Sequence, residues 1–119
     1  MLLSVLVAAS FLGLGAGSIA APHALADNYG IPVGDATGVA YLRAVGMRDA
    51  VLGLVILAYV VRGNRDALAV AIALSALVGA SDFTIVALNR GGAAPASLAI
   101  HGTGTLGLLA VWALLRQGR

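Results

Sequence analysis

Uncharged apolar runs recur along this chain, each closed by a short polar break, and the breaks set the elements. Residues 2–21 carry no charge. At about 1.5 Å per residue such a run is long enough to cross a hydrocarbon core of roughly 30 Å. Residues 22–36 then interrupt any periodicity with Pro22, Asn28, Gly30, Pro32, Gly34 and two aspartates, which predicts a loop, the longest connection in the chain. A second helix starts between Asp35 and Thr37, where either residue can cap it, and runs to Val61. Arg62-Gly63-Asn64-Arg65-Asp66 is a tight polar turn, so the flanking helices are expected to be antiparallel neighbours. A third apolar run ends at Asn89-Arg90-Gly91-Gly92, and a fourth starts at Pro95, a residue suited to a first helical turn. The spans 2–21, 37–61, 67–88 and 95–115 predict a single domain, an all-α integral membrane antiparallel four-helix bundle.

Within the first run Ala9, Gly13, Gly17 and Ala21 fall on one helical stripe, which predicts a face for close approach of another helix. Ala24-Leu25-Ala26 before Asp27 has the small-x-small form of a signal-peptide cleavage site. The start Met-Leu-Leu-Ser lacks the positive charge such a segment carries, and the run is read as a span.

Composition sharpens the class. Of 119 residues 61% are hydrophobic and 10% charged, with sixteen glycines, too little charged surface for a water-soluble domain of this size. Without cysteine there is no disulfide framework, thiolate metal site or thiol nucleophile. The net charge is +2, its positive side chains are all arginine, and those arginines sit at the ends of apolar runs. They read as topology signals, with no nucleic-acid partner implied. Arg62, Arg65, Arg116 and Arg119 fall on the side that holds the N-terminus, so both termini are expected on the cytoplasmic side of the cell membrane. Tyr59 and Trp112 lie about one turn from those basic ends, where an aromatic belt would put them, and Tyr29 and Tyr41 read as anchors at the opposite interface.

The ionisable residues inside the spans share one depth. Asp82 precedes Arg90 by eight residues and His101 follows Pro95 by six, so each lies roughly 9–12 Å below the outer end of its helix. Arg48 and Asp49 lie on the outer half of the second span. A charge at the bilayer centre costs about 2.5–3.5 kcal/mol on insertion scales, so Arg48, Asp49 and Asp82 are expected to face inward and pair. Asp49 shares a face with Gly46, Gly53 and Ile56, while Arg48 projects about 100° away. The simplest closed set pairs Arg48 with Asp82 and leaves Asp49 to His101 or to a hydroxyl such as Ser81 or Thr105. His23 and Asp27, four apart, make a weak metal pair, and no metal site is expected. No phosphate loop, nucleophile elbow or His-Glu-x-x-His pattern is present, and no cofactor is implied.

Arg48-Asp49-Ala50-Val51-Leu52-Gly53, with Pro22, Tyr29-Gly30-Ile31-Pro32, Asp82 late in the third span and His101 early in the fourth, resembles the uncharacterised membrane family catalogued as domain of unknown function 4267. That resemblance implies four helices and no particular activity. Small multidrug exporters also have four spans, but they carry an acidic residue within the first, and residues 2–21 have none. Small fluoride channels place a glycine-arginine pattern near the N-terminus, whereas the first arginine here is Arg43.

These residues predict a polar intramembrane pocket that binds, or acts by acid-base chemistry on, a lipophilic small molecule. Arg48 and Asp82 would bind the ligand, and Asp49 and His101 would move a proton. The alternative is a structural or accessory subunit whose buried charges are interhelical glue and whose Gly13 to Gly17 stripe meets a partner membrane protein or another copy. Proton-coupled transport ranks last, because residues 50–61 offer no polar steps.

Overall fold

Local capping chemistry decides where the helices begin. In the computed structural model, which describes residues 1–118, five α-helices follow in order: α1 (Leu2–Ala20), α2 (Pro22–Tyr29), α3 (Ala36–Val61), α4 (Arg65–Arg90) and α5 (Pro95–Gln117). The Asp35 carboxylate accepts from the Gly38 N–H at 2.7 Å and opens α3. Asn64 does the same for α4, accepting from Ala67 N–H at 3.0 Å, so that helix starts two residues before the expected 67. Pro95 occupies the first turn of α5, and a short 3-10 turn, Gly91–Ala93, links α4 to it. Four of these helices are long and apolar enough to cross a membrane, and among the described residues there is no strand. Arg119, used above in assigning topology, lies outside the described residues.

The segment expected to be a loop is partly helical. Pro22 starts α2, the run Ala24-Leu25-Ala26 continues it, and Gly30 ends it in the left-handed conformation at φ 106°, its N–H bonded to the Ala26 carbonyl. A dense set of turn formers hid a start signal and a stop signal eight residues apart. Gly30 is also pressed against the neighbouring helices: a Cβ there would lie 2.7 Å from the Ser97 Cβ on α5 and 3.0 Å from Val86 on α4. The end of α2 is thereby docked on both.

α1 packs on α3 through small residues, on a different face from the expected stripe. The buried positions of α1 are Ser4, Ala8, Gly15 and Ser18, whereas Ala9 and Gly13 are exposed and a Cβ on Gly13 would meet nothing. A Cβ on Gly53 would lie 2.9 Å from the Ala8 carbonyl oxygen, one on Gly15 2.7 Å from that of Gly46, and one on Gly46 2.7 Å from the Ser18 Cβ. Such close approach is what small residues permit between apolar helices, where dispersion contacts and not solvent exclusion drive association. Gly46, Asp49, Gly53 and Ile56 do form the buried face of α3, as their spacing predicted. α4 meets α5 where Gly79 abuts Thr105 and Phe83 abuts Gly102.

The apolar core sits toward one end, built from Ala8, Ile56, Leu68, Ile72, Ala76, Leu108 and Leu115, all four long helices contributing. Arg65 lies against Gly118, so the turn between α3 and α4 and the end of α5 share that end. The outer surface is apolar, with Leu77, Leu88 and Leu106 each more than 60% exposed, as a lipid-facing surface requires. The other half, beneath α2, holds the polar residues.

Candidate functional site

Three charges meet on the inner faces of α3 and α4. Asp49 and Asp82 are buried, at 8% and 7% relative exposure, and Arg48 is half-buried between them. The Arg48 Nη1 donates to Asp82 Oδ1 at 3.2 Å and Nη2 donates to Asp82 Oδ2 at 3.0 Å, a two-point pairing across the helices. Arg48 Nε and Nη2 also donate to Asp49 Oδ1, at 3.0 and 2.9 Å. Four of the five guanidinium N–H groups are therefore committed.

The Arg48 to Asp82 pairing is the one expected; the partner of Asp49 is not. Adjacent side chains leave a helix about 100° apart, which points Asp49 toward His101 or a hydroxyl. The long Arg48 side chain instead folds back along the helix, so one guanidinium bridges both carboxylates. Thr105 Oγ1 donates to the His101 carbonyl within its own helix at 2.8 Å, and Ser81 is exposed.

Tyr29, expected as an interface anchor, belongs to this site. Its hydroxyl donates to Asp82 Oδ1 at 3.1 Å, and its carbonyl accepts from His101 Nε2 at 2.9 Å. The two rings stand edge to face with centroids 4.8 Å apart. A carbonyl only accepts, so Nε2 carries the proton of that bond, and Nδ1 is the nitrogen that can accept when the ring is neutral. Burial, and after it the neighbouring Asp82 charge, push the Tyr29 phenol well above its ordinary value, which keeps it a donor. Tyr29 thus ties α2 to α4 and α5. The one sequence signal for it was the Tyr29-Gly30 step; its depth follows from α2 being a helix.

Beside the cluster lies a cavity of about 220 Å³, reached by all five helices. Asp49, Asp82, Tyr29 and His101 line one part of it, with Asn28, Ser18 and Thr105; Phe11, Leu14, Leu42, Val78 and Leu108 line the rest. Asp82 has both oxygens engaged. Asp49 Oδ2 has no hydrogen-bond partner among the described residues, making it the free acceptor of the charged set. A second cavity, about 340 Å³ between α1 and α5, shares Phe11, Leu14, Gly104 and Leu108 with the first. His23 and Asp27 are exposed on α2, and among the described residues no group of three potential metal ligands comes together.

These observations lead to a multi-pass helical membrane protein with an ion-pair cluster inside its helical layer. The chain belongs to the family described as domain of unknown function (DUF4267), which matches residues 8–116 and so takes in every residue of the cluster. No curated protein and no solved structure matches it.

Proposed function

We propose that this protein binds a lipophilic small molecule in the cavity beneath α2, with the polar end of the ligand on Asp49 and His101. The Asp49 carboxylate, which lines an otherwise largely apolar cavity and has its Oδ2 without a hydrogen-bond partner among the described residues, carries this reading. Arg48, itself fixed by its two bonds to Asp82, holds Asp49 in place through two hydrogen bonds to Oδ1. If the bound molecule reacts, Asp49 and the His101 Nδ1 are the groups positioned to exchange a proton with it. The α1 to α5 cavity supports access from the lipid, because its shared residues Phe11, Leu14 and Gly104 separate the site from the bilayer-facing surface. We place the protein in the cell membrane as an antiparallel bundle with both termini cytoplasmic, on the exposed Arg62, Arg65 and Arg116 at that end.

A second reading is that of a structural or accessory subunit. It is favoured by the two-point pairing of Arg48 with Asp82, which links α3 to α4 as interhelical glue would. Native mass spectrometry of the detergent-purified protein beside Gly104→Phe separates the two. Gly104 lines both cavities and a Cβ there meets nothing, so a larger side chain at this position is expected to occupy cavity space. A discrete small-molecule adduct lost in the variant supports ligand binding. A bare protein in both samples, held in a stable oligomer or with a protein partner, supports the subunit reading.

A further inference from the structure

We propose that the ligand of this cavity is a lipophilic cation, an alkyl or aryl ammonium whose N–H groups meet Asp49 Oδ2. This deepens the function proposed above and rests on it. The charged groups at the site are Arg48 and Asp49 on α3 and Asp82 on α4. α1 carries no ionisable side chain, α2 offers Tyr29 as a neutral phenol, and α5 offers His101. One guanidinium faces two carboxylates, which leaves the set one positive charge short of balance in a low-dielectric setting where an unbalanced charge is costly. The shortfall is localised. Asp82 takes two guanidinium bonds and the Tyr29 hydroxyl, whereas Asp49 takes its bonds on Oδ1 alone.

The cavity geometry matches that charge. Asp49 Oδ2 is a pure acceptor when ionised, and so is the Nδ1 of neutral His101; an ammonium supplies donors to both and no acceptor that would face Oδ2. Tyr29 and Phe11 both line the cavity, and aromatic rings favour cations. The aliphatic remainder, Leu14, Val78 and Leu108, suits the hydrocarbon part. A carboxylate or phosphate ligand would meet an Arg48 already committed to its own carboxylates.

The test uses the full-length protein in phosphatidylcholine nanodiscs with decylammonium, decanol and decanoate, whose tails match and whose heads differ in charge. Saturable binding is measured above partition into empty nanodiscs. The expected result is decylammonium binding at least about tenfold tighter than decanol, the ratio of one hydrogen bond to a charged group, with decanoate weakest. Asp49→Asn should abolish that preference, and Gly104→Phe should remove binding of all three. Equal, Gly104→Phe-sensitive binding of decanol and decylammonium overturns the cation assignment and leaves the cavity as a neutral-ligand site. Tighter binding of decanoate overturns it too, because the site would then carry positive charge through His101. No saturable binding of any probe overturns the proposed function and this inference together.

Discussion

Replacing Asp82 by Asn should destabilise the protein far more than replacing Asp49 by Asn, although the two aspartates are equally buried and contact the same arginine. Asp82 accepts three hydrogen bonds, two from Arg48 and one from Tyr29. An Asn there keeps one acceptor oxygen and turns an N–H₂ group toward the guanidinium. Removing one partner of a buried ion pair costs about 3–5 kcal/mol, and since Arg48 keeps Asp49 and is half-buried, about 3 kcal/mol applies. With an unfolding entropy of about 2.1 cal/mol/K per residue, that lowers the Tm by roughly 12 °C. Asp49 takes both of its hydrogen bonds on Oδ1, which an Asn retains, while the new N–H₂ takes the place of the free Oδ2 facing the cavity. The same substitution removes the uncompensated negative charge, so the expected loss is below about 1 kcal/mol, or roughly 4 °C. Thermal unfolding of the wild type and both variants in one detergent, followed by intrinsic fluorescence, measures the contrast. Equal losses, or a larger loss for Asp49→Asn, would refute the hydrogen-bond assignment on which the site is built.

Further expectations follow from the same contacts. Tyr29→Phe removes a hydrogen bond to a charged acceptor and should lower stability by about 1.5–3 kcal/mol, with faster hydrogen exchange across residues 22–34 as α2 loosens. Because the folded state holds the Tyr29 proton more tightly than the unfolded chain does, its contribution is complete below the ordinary tyrosine value of about 10 and is lost as pH rises toward the higher folded value. An ultraviolet titration should therefore show a tyrosine that ionises only above the ordinary tyrosine range, and that component should vanish in Tyr29→Phe. Gly46→Val meets Ser18 and the Gly15 carbonyl and should cost about 1–3 kcal/mol or more, whereas Gly13→Ala should be near neutral or slightly stabilising; thermal unfolding of the pair checks which face of α1 is packed.

That last contrast shows where sequence was enough and where it was not. Four apolar runs, a capping Asp35 and a first-turn Pro95 made the long helices legible, because length and caps are local properties. The packed face of α1 was not, since Ala9, Gly13 and Gly17 and the rival set Ala8, Gly15 and Ser18 are both small residues at helical spacing; the choice lies in what α3 presents. Arg48, Asp49 and Asp82 could be gathered from the cost of a charge in lipid alone. Their pairing could not, because it depends on the Arg48 side chain folding back along its own helix. Tyr29 escaped for a longer-range reason: a loop would have left it at the interface, and one short helix ended by Gly30 carries it to Asp82 and His101.

The most direct test of a ligand cavity beneath α2 is photo-crosslinking in phosphatidylcholine nanodiscs, using an alkylammonium probe with a diazirine in its tail and mapping the labelled residues by mass spectrometry. Labelling concentrated on Phe11, Leu14, Val78 and Leu108, and displaced by excess decylammonium, is the predicted result. Labelling spread over Leu77, Leu88 and Leu106 on the lipid-facing surface, undiminished by competitor, would contradict it.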